Sequence, residues 1–400
     1  MGAGSPQGRD PVEWRKARDR AVARSRRSNR SRRRSGGGRR SSRGGGYGAL
    51  LALAALLFGG YAYLQHKGDL TTGSPTGGGG GTHGATADPG ASGASGGSPA
   101  AGGTAFVFAT GSTSEPAIYT FIDSARSSLD MTMYELSDTT AVSELVARKK
   151  AGVDVRVVLD QAEKTTNQSA FDTLRSAGVG VVWSSATFQY THQKTITVDD
   201  RESLILTGNL TSKYYSETRD YGDFDSDATD VKAVVAVFDA DYTHSSISPG
   251  DGDDLLWSPT TSRSRVLSVI NGARKTLDVE GEEFSDTGVV NAIVAKAKAG
   301  VAVRVCVESP SQYASEIRKV VAAGGKVTGY SSEKGLYIHA KAVIADAGLS
   351  DQTVELGSMN YTSASLSRNR ELGIVLRDAA DVSLIEKRFG ADFAGGSAQS

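Results

Sequence analysis

YIHAKAVIADAGLSDQTVELGSMNYTSASLSRNRELG, running from Tyr337 to Gly373, contains His339-x-Lys341, then Asp346, then Gly357-Ser358-x-Asn360 and finally Glu371. Side chains of a strand alternate between faces, so this spacing predicts a pleated surface with His339 and Lys341 side by side and Ala340 turned inward. The apolar, β-prone run Ala342-Val343-Ile344-Ala345 that follows reads as a buried strand. An imidazole can act as nucleophile or proton carrier near neutral pH, and a lysine beside it can hold an anion. Ser358 and Asn360, again two apart, add hydrogen-bond donors. The stretch reads as half a site for a phosphate.

A second copy lies upstream. Tyr190-Thr-His192-Gln-Lys194 is followed by Asp199 after the same four-residue gap, Thr207-Gly-Asn209 stands for Ser358-Met-Asn360, and Asp220 stands for Glu371. The step from asparagine to acid is 11 residues in both copies. One His-x-Lys pair is ordinarily an accident of surface or core. Two copies with matching downstream residues make the functional reading the stronger one.

The formal charge of zero hides an asymmetry. Residues 1–46 carry 15 Arg and Lys against 3 acids, which leaves 30 basic and 42 acidic residues for the remainder. A cationic head near +12 therefore precedes a body near −12. The head has almost no apolar content and is expected to be disordered. It reads as a cytoplasmic topogenic tail, with a nucleic-acid-binding arm as the other reading. Residues 47–64, YGALLALAALLFGGYAYL, are apolar and uncharged, at the short end of what spans a bilayer. The arginines before them predict the N-terminus inside and the body outside, in a single-pass membrane protein. A cleaved secretory signal is the rival. Residues 65–104 are mostly Gly, Ser, Thr, Ala and Pro, with hardly a bulky side chain, and read as a flexible tether with a typical span of about 35 Å. The sole cysteine, Cys306, excludes an internal disulfide and reads as a buried structural thiol.

The body is written twice, as 105–250 and 251–396. Helical periodicity over Ala117–Ser128 leads into a strand at Leu129–Tyr134. A helix at Thr139–Ala151 leads into the strand Val153–Leu159, and a helix at Ala170–Ser176 into the strand Val179–Trp183. At an offset of 148, Leu129-Asp130 maps to Leu277-Asp278, Ser137-Asp138 to Ser285-Asp286, and VDVRVVLD to VAVRVCVE; at the histidines the offset is 147. The expected fold is α/β, a tandem repeat of two similar sheet halves related by a pseudo-twofold axis, with one site at their interface.

With both copies placed, the body from about Phe106 to Phe393 resembles the phospholipase D superfamily, which carries H-x-K-x4-D twice. The first copy departs from the usual pattern in three ways: Thr207 stands for serine, no glycine precedes it, and Asp220 stands for glutamate. The resemblance implies that one histidine attacks phosphorus to give a covalent phosphohistidine while the other protonates the leaving alcohol and then activates water. It gives His192 as nucleophile and His339 as acid/base, an order the residues alone leave open. It implies that Lys194, Lys341, Asn209 and Asn360 hold the non-bridging oxygens. Asp220 and Glu371 would orient the histidines through their far ring nitrogens, and Thr207 and Ser358 would add donors at the site edge. No metal or cofactor is implied. Asp199 and Asp346 are expected to tie each strand end to a loop, and Tyr190 and Tyr337 to wall the cleft or pack in the core. Glu135 and Glu283 end matching strands, either on the surface or lining the same cleft.

Three readings compete. Hydrolysis of phospholipids at a membrane surface, by a monomeric catalytic unit, suits an anchored body outside the cell. A nuclease calls for basic surroundings, against the net charge near −12, and a nucleic-acid partner ranks second. An inactive binding module conflicts with two intact sets of residues.

Overall fold

The computed structural model describes residues 104–108, 115–331 and 335–400. The basic head, the apolar run 47–64 and nearly all of the tether lie outside the described residues. Among the described residues no helix is long and apolar enough to cross a membrane.

Chain order in the first half is β1 (Ala105–Phe108), α1 (Glu115–Ser124), β2 (Ser128–Met133), α2 (Thr139–Lys150), β3 (Asp154–Leu159), α3 (Lys164–Ser176), β4 (Gly180–Trp183), β5 (Lys194–Val198), β6 (Glu202–Leu206), β7 (Thr218–Asp225) and α4 (Ala228–Tyr242). The second half follows with β8 (Leu255–Ser258), α5 (Ser262–Gly272), β9 (Thr276–Gly281), α6 (Thr287–Lys298), β10 (Ala302–Glu308), α7 (Ala314–Ala322), β11 (Lys326–Tyr330), β12 (Tyr337–Ile338) and β13 (Lys341–Ala345). It ends with β14 (Thr353–Gly357), α8 (Ser363–Ser367), β15 (Glu371–Leu376), α9 (Ala379–Gly395) and β16 (Ser397–Gln399).

The first sheet runs β1-β7-β6-β5-β2-β3-β4 and the second β16-β11-β10-β9-β13-β14-β15-β8. Read from opposite ends, and leaving aside the extra edge strand β16, the two orders match strand for strand, so these are two similar α/β halves. The repeated dipeptides explain repeated local structure. Asp138 and Asp286 cap α2 and α6, each accepting from two backbone N–H groups of the first turn. Arg156 forks onto Asp130 and lies 5.0 Å from the Phe238 ring; Arg304 forks onto Asp278 and lies 5.1 Å from the Phe389 ring.

Each half has its own apolar cluster, Leu129, Met131 and Phe171 among others in the first and Val279, Phe284 and Ile317 in the second. A third cluster mixes both, with Ile205 and Tyr221 against Trp257, Ile338 and Phe389. At about 1.5–3 kcal/mol for each large buried side chain, this shared core holds the halves together. A buried polar seam lies beside it, where the Arg219 guanidinium pairs with Asp392.

The halves also exchange strand ends. β12, which leads into His339, pairs with β7 of the first sheet, Ile338 opposite Arg219. Reciprocally, Thr191, just before His192, bridges to Arg370 in the second half. Each His-x-Lys was expected on one continuous strand. Instead β13 and β5 begin at the lysine, because the histidine N–H donates to the other half: His339 to the Arg219 carbonyl at 3.2 Å and His192 to the Arg370 carbonyl at 2.9 Å.

Candidate active site between the two halves

This exchange sets the site geometry. Arg219 and Arg370, the residues that accept from the histidine N–H groups, immediately precede Asp220 and Glu371. Each acid therefore meets the histidine of the opposite half. His192 Nδ1 lies 2.9 Å from Glu371 Oε2 and 3.1 Å from the Ser358 carbonyl, and His339 Nδ1 lies 2.8 Å from Asp220 Oδ1. The partners of both Nδ1 atoms are acceptors, so Nδ1–H donates and Nε2 is the atom presented to a ligand. The acids are held in turn. Ser365 and Asn369 donate to Glu371 Oε1 at 2.6 and 2.8 Å, and Thr207 donates to Asp220 at 2.7 Å.

Thr207 and Ser358 do not stand at the edge of the site as donors. Thr207 is fully buried, and its hydroxyl is taken by Asp220 and by the Tyr221 N–H. The Ser358 hydroxyl lies between the Leu372 N–H and carbonyl of β15. Both side chains brace the acid-bearing strands instead.

Lys194 and Lys341 are almost wholly buried. Burying an ammonium costs several kcal/mol unless a counter-charge faces it. Lys341 Nζ lies 3.2 Å from Glu282 Oε2, and Lys194 donates to the His192 carbonyl at 2.6 Å with the Tyr134 ring 4.9 Å away. Asn209 donates to Glu135 at 3.3 Å and Asn360 to Glu282 at 3.3 Å. Two lysines, two asparagines and two Nε2 atoms thus belong to one cluster, a set suited to the oxygens of one phosphate. Tyr337 stands beside its histidine, ring centroids 5.8 Å apart, and donates to Glu282. Tyr190 packs edge-on against Tyr134, which itself lies 4.5 Å from the His192 ring.

Asp199 and Asp346 sit away from this cluster. Asp199 accepts from the N–H groups of Arg126, Ser127 and Ser128, and Asp346 from those of Arg274, Lys275 and Thr276. Both have positive φ, 54°, and both fasten a β-turn to the start of the neighbouring strand.

Electrostatics separate the groups. Burial, with Lys194 beside it, lowers His192 to about 4 despite the opposing pull of Glu371. Burial and Lys341 lower Lys194 to about 7. Burial and the neighbouring Glu163 raise Glu135 to about 7. Burial would raise Glu371 and Asp220, yet their histidine partners and the lysines hold both below the ordinary carboxylate range. His192 is therefore neutral with a free Nε2 lone pair at neutral pH, as a nucleophile requires.

Sequence reasoning missed Glu282, Tyr134, Ser365 and Asn369. It paired Glu135 with Glu283, whereas Glu282 makes the contact to Asn360 that Glu135 makes to Asn209. The available signal was the 148-residue alignment, which sets Glu282 opposite Tyr134, an unlike pair in an otherwise similar repeat. Among the described residues no group of three or more His, Cys, Asp or Glu is arranged to hold a metal ion.

A duplicated α/β fold with two reciprocally oriented histidine–lysine pairs defines a protein of the phospholipase D type. The family described as "Cardiolipin synthase, PLD-like domain" matches residues 118–242 and 266–393, and the chain belongs to it, within the phospholipase D superfamily. A cardiolipin synthase of Clostridium perfringens is 21% identical over 295 residues, covering 62% of this chain and 60% of that protein. The chain thus spans less than two thirds of that relative's length. A phosphatidylserine synthase of Haemophilus influenzae has the same fold with a TM-score of 0.57 at 13% identity, covering 71% of this chain and 85% of its own. A polyphosphate kinase of Porphyromonas gingivalis has a TM-score of 0.53 at 16% identity, over 69% of this chain and 47% of its own.

Proposed function

We propose that the protein hydrolyses phospholipids to phosphatidic acid and free headgroup through a covalent phosphohistidine. The observation that carries this is the unlike surroundings of the two imidazoles. His192 is neutral among lysines, whereas His339 has a carboxylate near each ring nitrogen, Asp220 at 2.8 Å from Nδ1 and Glu282 at 3.7 Å from Nε2. His192 Nε2 attacks phosphorus and the bond to the headgroup oxygen breaks. His339 Nε2 gives that oxygen its proton. A water then attacks the phosphohistidine, its proton passes to His339, and the P–N bond breaks to restore His192. Lys194, Lys341, Asn209 and Asn360 hold the non-bridging oxygens throughout. A body outside the membrane, tethered through an anchor at residues 47–64, would meet such lipids at the bilayer surface.

Transfer to an alcohol instead of water is the second reading, favoured by the synthase names of the relatives. The test is a matched panel of phosphatidylcholine, phosphatidylethanolamine and single-stranded DNA, with 1-butanol added to half the lipid reactions. Headgroup release with phosphatidic acid as product supports hydrolysis, and phosphatidylbutanol as the main product supports transfer. DNA cleavage with intact lipid would sink both. His192→Ala abolishes turnover in every supportive case.

A further inference from the structure

The two half-sites differ in what lies against the histidine and lysine. β2 and β9 end in register, Met133 beside Lys194 and Gly281 beside Lys341, so the next residues, Tyr134 and Glu282, occupy equivalent places. In the first half an aromatic ring lies against the histidine and lysine; in the second a carboxylate does. Glu282 is held from several sides. Its Oε2 lies 3.2 Å from Lys341 Nζ and 3.3 Å from Asn360 Nδ2, and Tyr337 donates to its Oε1. That same Oε2 is 3.7 Å from His339 Nε2. With Nδ1 engaged by Asp220, Nε2 is the atom that would hand a proton to the departing alcohol. A fixed carboxylate therefore stands beside the alcohol end of the scissile bond, with the Tyr337 ring next to it; at the His192 end the Tyr134 ring takes that place, and the carboxylate that holds Asn209 there is Glu135.

We infer that Glu282 is a specificity-determining residue that reads the charge of the leaving alcohol, favouring one that carries an ammonium group. This rests on the phospholipid reading and names the headgroup class within it. In a 2-aminoethyl or 2-trimethylammonioethyl ester the nitrogen lies two carbons from the scissile oxygen, within reach of a carboxylate that close to Nε2. Tyr337 supplies an aromatic face for the same cation. An uncharged glycerol headgroup gains neither contact. An alcohol bearing a further phosphate, such as a nucleic-acid strand, meets like charge at this point.

Two measurements test the inference. The first compares wild-type kcat/KM on phosphatidylethanolamine and phosphatidylcholine with that on phosphatidylglycerol, presented in the same neutral detergent micelles, with bis-p-nitrophenyl phosphate as a headgroup-free control. The expected preference for the cationic headgroups is about tenfold or more, equivalent to about 1.4 kcal/mol. The second uses the His192→Ala background, which removes turnover, and compares Kd for dihexanoyl-phosphatidylethanolamine and dihexanoyl-phosphatidylglycerol with and without Glu282→Gln. The expected result is that the ratio of the two constants collapses toward one in the double variant, whose melting temperature verifies that it is folded. Equal use of the headgroups by the wild type, or a ratio that survives Glu282→Gln, overturns the inference while the phospholipid reading stands. Cleavage of bis-p-nitrophenyl phosphate without cleavage of any lipid overturns that reading, and the inference with it.

Discussion

Glu371 Oε2 lies 2.9 Å from Nδ1 of His192, a residue 179 positions earlier and in the other half of the molecule. Asp220 and His339 repeat the relationship in the opposite direction across 119 positions. Neither half contains an oriented histidine of its own, so the duplicated fold is functional only as a pair. Glu371→Gln should keep the packing and lose the charge that fixes the ring. The expected loss in kcat on bis-p-nitrophenyl phosphate is about 10²–10⁴-fold. Adding Glu371→Gln to His192→Ala should cost nothing further, because the two act as one unit.

The histidine roles separate with a substrate whose leaving group needs no proton. p-Nitrophenolate departs unaided, so His339→Ala should still form the covalent intermediate and then stall. The expected observation is a burst of one equivalent of p-nitrophenol, together with a phosphoryl adduct on intact mass under alkaline quench. His192→Ala should give neither. A burst from His192→Ala instead would reverse the assignment.

The repeat, both His-x-Lys pairs, the asparagines and the acids were legible in the sequence because spacing along a strand survives in linear order. The partnership of the acids was not. It follows from β12 and Thr191 crossing to the opposite sheet, a choice made by tertiary packing that neither copy reveals alone. The same crossing divides each His-x-Lys between two sheets, which the alternation rule could not anticipate. Glu282 was hidden by a one-residue difference in reach: the repeat aligns Glu135 with Glu283, but the carboxylate beside Asn360 comes from the residue before. Thr207 and Ser358 were read as donors because hydroxyls near an anion site usually are. Their burial under β7 and β15 sends those hydrogen bonds into the scaffold.

Binding of the anionic substrate should weaken as pH rises through about 7. Lys194, lowered to about 7 by burial and Lys341, is charged below that value and neutral above it. Glu135, raised to about 7 by burial and Glu163, is neutral below and negative above. Both changes remove positive potential from the site over the same interval, so kcat/KM should fall by about tenfold per pH unit above it, or more steeply where both groups contribute. Glu135→Gln should leave only the limb due to Lys194. Bound phosphate stabilises the ammonium, so the limb in kcat should lie at higher pH than the limb in kcat/KM. On the acid side, His192 keeps its lone pair down to about pH 4. A kcat/KM profile still rising between pH 7 and 9 would contradict these assignments.

Asp346 offers a control for roles in structure rather than chemistry. Its carboxylate satisfies three consecutive N–H groups at the start of β9, at 2.7, 2.6 and 3.0 Å. Asp346→Ala leaves those donors to water and places alanine at a φ of 54°. The expected cost is about 1–3 kcal/mol, seen as a lowered denaturation midpoint, with the kcat/KM profile against pH unchanged in shape.

Glu355 makes a prediction about stability alone. It lies opposite Val343 in the second sheet, as Leu204 lies opposite Ile196 in the first, so a carboxyl occupies an apolar position of the repeat. It is fully buried, with the Tyr361 hydroxyl 3.5 Å away, and burial raises it to about 8 from an ordinary 4.5. Below the ordinary value both folded and unfolded chains hold the proton. Between the two values the unfolded chain releases it and the folded chain does not, so stability drains away as pH rises, and beyond about 8 no more is lost. Glu355→Gln carries no such penalty. The melting temperature of the variant relative to wild type should therefore climb by several degrees between pH 5 and pH 8, at about 2–4 °C per kcal/mol. A difference that stays constant across that range would mean that Glu355 is ionised in the folded protein.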